Sequence, residues 1–415
     1  MPLPSGHDFF YSTEMNPKRI GTSKYPREFW FLMIGSIVFT MGASLVWPFL
    51  SIYIQQKLEI PLRYSTLLIS LRAFSGVIAS FFFAGSFADR FGRRLLILVS
   101  LFGGFVYYLG LKFADALWEF ALLMIFWGML DIFYPVGINA MIADLIPAEN
   151  RLEAYSILRI VYNTGYGVGP ILGGIMASNS YDTIFIAAAA GYALSFLFML
   201  FFTRETLTDD IQAQAAGRKE NYSIAIVLKD RLYVLSVFLN GMIYITSAGV
   251  FNLLSLYAVQ NFGIPESQIS IVFTVNAVMC VTLQLAVIRL INGKAPMRLM
   301  CLSGLLYMVG VSSIALIDQV WWYCICMAVM TLGELIMSPT MSDLAAKMAP
   351  ENARGRYMSV LSLARPFGQG IGPALLGYVN DMIAPRMMWV CGAMFAGIAS
   401  AAFFVMDRKN KNTGS

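Results

Sequence analysis

Twelve stretches of this chain stay apolar for about 20 residues or more, and no other feature limits its fold as strongly. They lie at roughly 29–54, 65–88, 94–113, 119–143, 153–177, 183–203, 232–259, 267–288, 298–317, 320–345, 356–379 and 387–406. A helix rising about 1.5 Å per residue needs about 20 such residues to cross about 30 Å of hydrocarbon. The runs lack the every-second-residue alternation of a membrane strand, and lipid cannot satisfy open backbone amides. The expected fold class is therefore an all-α membrane protein with twelve transmembrane helices. Composition agrees: 58% of residues are hydrophobic and 13% charged, against about 25% charged in soluble domains. So apolar a chain is not disordered. Five cysteines, an odd number, and no signal-peptide pattern argue against a disulfide scaffold. The single histidine, His7, lies in a polar leading segment, so no His-ligated metal site or Ser/His/Asp triad is expected within the membrane. The chain does not read as an enzyme. No GxxxxGK[ST] loop is present, so ATP is not the expected energy source.

Charge sets the expected orientation. With both ends on the cytoplasmic side, 22 of the 29 Lys and Arg fall inside, four outside (Lys57, Arg63, Lys112, Arg386) and three within spans (Arg72, Arg159, Arg365). That asymmetry is the positive-inside pattern of a multi-pass protein of the cell's inner (plasma) membrane. The net charge of +5 then reflects orientation, since scattered basic loops do not form a nucleic-acid surface. The expected organisation is a cytoplasmic tail (1–28), a six-helix half (29–203), a cytoplasmic linker (204–231), a second six-helix half (232–406) and a tail (407–415).

The halves repeat at an offset of 203 residues. Comparing 147–174 with 350–377 pairs Pro147 with Pro350, Arg151 with Arg354, Ser156 with Ser359 and Leu158 with Leu361. Gly165, Gly167, Gly169, Pro170 and Gly174 pair with Gly368, Gly370, Gly372, Pro373 and Gly377. Duplicated halves are how many secondary transporters are built, with the substrate site near the midplane between them.

Span 2 ends in GSFADRFGRR. Gly85 permits close helix approach, Gly92 a tight turn, and Asp89 can face a helix N-terminus or an arginine. Arg90, Arg93 and Arg94 anchor the turn at the inner leaflet. The segment resembles the G-x-x-x-D-R-x-G-R-R/K signature of the major facilitator superfamily, where it latches the inner side closed. The copy in the second half, RLINGKAPMR, places Asn292 where Asp89 stands. Span 5 carries GYGVGPILGG, which resembles the antiporter motif of the same superfamily, associated with drug/proton exporters. Gly165, Gly169 and Gly173 recur every four residues as a flat face, Pro170 permits a bend, and Gly174 completes the motif. This face is expected to pivot against helix 8, with plain tight packing as the alternative.

Asp131 and Glu334 are isolated acids near the midpoints of spans 4 and 10, related by the same 203-residue offset. They are expected to face each other across the pseudo-two-fold. An ionised acid in the membrane costs a few kcal/mol, so such groups should trade protons. The alternative is a structural acid bonded to backbone or to an arginine. MTLGELIMSP with LAAKMAPENARGRYMS, and NAMIADLIPAENR, resemble helices 10 and 4 of lactococcal-type multidrug exporters. That resemblance implies proton coupling by Glu334 and by Asp144. Pairing of Asp144 with loop arginines is the other reading. Such exporters can carry an acid on helix 7, and here that span offers Asn240, Tyr244 and Asn252 instead.

Arg72 is read as a partner for an acid or an anionic substrate. Arg159 and Arg365 are expected to pair with motif acids. By resemblance, helices 1, 4, 7 and 10 wall the cavity, with Trp47, Arg72, Tyr134, Asn240, Tyr244, Asn252 and Met337 as candidate substrate contacts. The cysteines read as small packing residues. The resemblance implies a proton-driven exporter of lipophilic or cationic drug-like compounds, needing no cofactor beyond the proton gradient. Its partners would be a small-molecule substrate, protons and membrane lipid, and it would work as a monomer. A physiological solute exporter or flippase, or a non-transporting sensor, are the alternatives.

Overall fold

The computed structural model describes residues 25–80, 87, 92–147, 150–207, 225–350 and 354–413. Regular structure among these is helical throughout. The first six helices are α1 (Arg27–Leu58), α2 (Leu62–Ala79), α3 (Arg93–Phe113), α4 (Leu117–Leu145), α5 (Arg151–Ala177) and α6 (Tyr181–Phe202). The next six are α7 (Arg231–Phe262), α8 (Glu266–Ile291), α9 (Pro296–Ile314), α10 (Val320–Met348), α11 (Arg354–Ser362 and Ala364–Met382) and α12 (Pro385–Thr413). Among the described residues, nine helices are long and apolar enough to cross a membrane. The other three predicted spans correspond to α2, α5 and α11. These carry the small and polar residues of the seam between the halves, which lowers their hydropathy.

Prolines explain the local breaks. Pro48 offers no amide to the Ser44 carbonyl, and α1 tightens to a 3-10 turn at Trp47–Phe49. Pro135 does the same to the Asp131 carbonyl, dividing α4 into Leu117–Asp131 and Phe133–Leu145. Pro366 frees the Ser362 carbonyl where α11 is interrupted. The long spans otherwise match expectation. Helix α12 continues as far as Thr413, and Asp407 pairs with Arg298 on α9 at 2.8 Å. Residues 1–24 of the N-terminal tail and 208–224 of the linker lie outside the described residues.

Packing repeats as the sequence does. In the first half α1 packs on α5 and α6, α2 on α4, and α3 on α4 and α6. In the second, α7 packs on α11 and α12, α8 on α10, and α9 on α10 and α12. The halves meet along two seams, α2 with α11 and α5 with α8. We call the ends where α1 begins and α12 finishes the terminal face, and the opposite ends the distal face. Polar bridges cluster toward the distal face. The Arg63 amide donates to Asp381 at 2.9 Å, the Ala374 amide to Ser70 at 3.2 Å, and Thr274 to the Gly167 carbonyl at 3.0 Å. Between α1 and α7, Trp47 Nε1 donates to Asn252 Oδ1 at 3.2 Å and Ser51 to the Asn252 carbonyl at 2.8 Å. Gln260 donates to Gln55 at 2.8 Å. These contacts tie the halves together at the distal face, and we call the Trp47, Ser51 and Asn252 group the distal seal.

Candidate functional site

Gly76 and Gly128 let α2 and α4 cross closely; a Cβ on Gly128 would strike Ser75 and the Arg72 backbone. This approach brings Arg72 Nη2 to 2.6 Å from Asp131 Oδ2, a charge-assisted pair. The Arg72 guanidinium also lies over the Trp127 ring, 5.9 Å from its centre. The Asp131 side chain stays 35% exposed.

Glu334 occupies the middle of α10 and is half-buried. Asn276 Nδ2 on α8 donates to Glu334 Oε2 at 2.9 Å and sits 2.9 Å from Thr331 Oγ1. Among the described residues Glu334 makes no ion pair. Each acid therefore bonds within its own half, Asp131 to a cation and Glu334 to a neutral amide.

Arg159 on α5 is half-buried and Arg365 on α11 is exposed. Tyr244, on α7, lies within electrostatic reach of Arg365, Glu334 and Arg159. Tyr166, 38% exposed, lies within reach of Arg365, Asp131 and Arg72. We call the region that these groups share, between the halves, the vestibule. Neither arginine pairs with a described residue. The partner considered for them in the gating motif, Asp89, lies outside the described residues, as do Gly85 and Arg90.

The described part of the gating motif forms a network at the terminal face. Gly92, at φ +95°, precedes α3, and a Cβ there would run into Glu205. Glu205 accepts from the Arg93 and Arg94 amides at 3.0 Å each, capping the helix where its orphan donors and dipole favour an anion. Asp144 pairs with Arg93 Nε at 3.2 Å and accepts from Thr206 at 2.8 Å. The structure thus brings Asp144 to the gating loop and not to Glu334. The sequence reading missed Glu205 and Asn276. Glu205 closes an apolar run, and its TRET context gives only a charged helix end. Asn276 is one amide in an apolar run, a weak signal.

The antiporter motif presents two faces. A Cβ on Gly165, Gly169 or Gly173 would collide with Thr40, Ser44 or Leu45 of α1, while Gly167 and Gly174 press on Ala277 and Glu266 of α8. The four-residue glycine repeat therefore packs inside its own half. This corrects the expectation that it faces helix 8, which instead meets the 167/174 face. Pro170 lies within α5 between these contacts.

Several expected substrate contacts are packed against or bonded to other residues of the protein. Tyr134 is fully buried, stacked on Phe39 and bonded to Ser36 at 3.0 Å. Met337 and Asn240 are also buried in the second half. Trp47 and Asn252 bond to each other, and Trp47 stacks on Phe251. They form the distal seal. Arg72 is engaged by Asp131. Tyr244 remains at the vestibule.

A duplicated helical body with charged groups between its halves is how many secondary transporters are built. The chain matches the Major Facilitator Superfamily over residues 32–373 and again over 234–414, and it belongs to that superfamily. It is a membrane-spanning transporter of small molecules. The Na(+), Li(+), K(+)/H(+) antiporter of Planococcus maritimus is 25% identical over 371 residues, covering 82% of this chain and 87% of that one. The multidrug resistance protein MdtG of Dickeya zeae (strain Ech586) is 25% identical over 399 residues, covering 94% and 96%. The crystal structure of the nucleoside transporter NupG shares the fold at a TM-score of 0.77 and 14% identity, covering 91% of this chain and 99% of that one.

Proposed function

We propose that this protein is a proton-driven antiporter of the plasma membrane that exports lipophilic, cation-bearing drug-like compounds by alternating access. The observation that carries this reading is the state of Glu334. It is a half-buried carboxylate at mid-span, held by the neutral Asn276 and lacking an ion pair among the described residues. A proton and a cationic group compete for such a site, and that competition is what exchange requires. Asp131 is already neutralised by Arg72 and serves to hold α2 against α4 beside the vestibule. The network of Glu205, Arg93 and Asp144 acts as the terminal-face latch, which is the role we give Asp144 in place of direct proton coupling. The names of the antiporter and multidrug resistance relatives support exchange and export. The test is efflux of cationic dyes from proteoliposomes under an imposed pH gradient. The parent should export, and Glu334→Gln should lose dependence on the gradient. Gradient-dependent efflux that survives this substitution overturns the assignment.

A further inference from the structure

The vestibule holds more positive than negative charge. Arg72 and Asp131 cancel. Glu334 supplies one negative charge when ionised. Arg159 and Arg365 supply two positive charges and pair with nothing among the described residues. A guanidinium in the membrane region is tolerated when it faces a partner or water, so both arginines stand ready for a ligand.

Each half contributes one arginine, and the two stand three residues out of the 203-residue register. On α5, Arg159, Asn163 and Tyr166 fall at i, i+4 and i+7 and share one face. The exposed apolar residues of α5, Ile160, Val168, Leu172 and Ile175, lie on the other side and meet lipid. On α11, Arg365 has Gln369 one turn further on, the same arginine-then-carboxamide pattern. Arg159, from the first half, reaches electrostatically to Tyr244 and Cys280 of the second. Arg365, from the second half, reaches Tyr166 of the first. The helix faces agree: on α5 the Arg159–Asn163–Tyr166 face lies between the Gly165/Gly169/Gly173 face that meets α1 and the Gly167/Gly174 face that meets α8, while on α11 Gly368 and Gly372 meet α7 and Gly370 and Gly377 meet α2.

We propose that Arg159 and Arg365 form a two-sided binding site for an acidic group, and that the exported compound is amphoteric. Its acidic group lies between the two guanidinium groups and its cationic centre lies at Glu334. This deepens the proposed export reading and rests on it. The division of labour follows from charge. Guanidinium groups favour carboxylate through paired N–H donors. A purely anionic substrate would be favoured by protonation of Glu334, which produces co-transport with the proton. Only a cationic centre competes with that proton, so exchange demands both charges on one molecule.

The test uses three forms of one fluorescent probe: a piperazinyl fluoroquinolone (amphoteric), its methyl ester (cation only) and its N-acetyl derivative (anion only). Binding to the detergent-purified full chain is read by tryptophan quenching, and efflux by proteoliposomes under a pH gradient. The parent should bind the amphoteric form about tenfold more tightly than the ester, a single good charged contact. Arg159→Gln and Arg365→Gln should bring the ratio of amphoteric to ester affinity from about ten down to about one. Arg365→Lys should restore part of the preference. Equal binding of the three forms by the parent, or equal losses for ester and amphoteric probe in the arginine variants, overturns the inference. Gradient-driven ester efflux without preference for the amphoteric form sinks this inference alone. Preference in binding with no gradient-driven efflux of any form sinks the export reading and leaves the site standing.

Discussion

Arg72 and Asp131 touch at 2.6 Å across the crossing of α2 and α4, and the acid sits where Pro135 interrupts its own helix. The pair therefore joins two elements at a point of weakness in one of them.

Breaking this pair from one side should be worse than removing it. Asp131→Asn leaves the Arg72 guanidinium without its counter-charge. Partial exposure softens the penalty to about 1–3 kcal/mol. Thermal melts in detergent should show Asp131→Asn melting below Arg72→Met/Asp131→Leu. The reverse order would show that the pair does not hold the crossing.

Glu334→Gln keeps the hydrogen-bonding shape beside Asn276 but removes the ionisable group. Gradient-driven efflux should fall at least about tenfold, equivalent to about 1.4 kcal/mol. Exchange of labelled for unlabelled substrate, which needs no net proton movement, should persist. Loss of both to the same degree would indicate a structural residue.

Glu205→Ala deprives the start of α3 of an acceptor for two backbone amides. Loss of a helix cap costs about 1 kcal/mol. Glu205→Gln, which retains an acceptor oxygen, should recover part of the melting temperature, whereas Glu205→Leu should not.

Gly169→Ala places a methyl against Ser44 and the Met41 carbonyl of α1. Forcing these helices apart should destabilise the fold by about 1–3 kcal/mol. Gly293 has nothing within 4 Å and a φ of +74°. Gly293→Ala should therefore show only backbone strain, about 1–2 kcal/mol. Equal effects on transport would argue that close packing at 169 is not what matters.

The distal seal should loosen when Trp47 is cut to alanine, since its bond to Asn252 and its stacking on Phe251 are both lost. In a background lacking the five native cysteines, Ser51→Cys should react several-fold faster with a membrane-impermeant maleimide applied to the distal side. An unchanged rate would show that Trp47 does not keep this face shut.

The apolar runs, the repeat and the gating and antiporter signatures were legible because each depends on length or local spacing. Partnership was not. Glycines every four residues announce a flat face at 165, 169 and 173, yet their spacing cannot say that α1 and not α8 fills it. Tyr134 and Met337 sit on helices expected to wall the cavity, but a helix has a back as well as a front, and both side chains turn into the packed interior. Arg72 and Asp131 are 59 residues apart, and only the Gly76–Gly128 crossing decides that they meet. Glu205 acts through the backbone of a distant loop, a relation that residue type does not reveal.

The two seams share one construction, with α5 wedged between α1 and α8 on one flank and α11 between α7 and α2 on the other. Two such contacts restrict how one half can move against the other. The halves can tilt about the line joining the seams, but torsion or sliding would strip one glycine contact while jamming the other. Such geometry makes tilting the easier motion, and a bulky side chain on either flank should halt turnover as effectively as one on both.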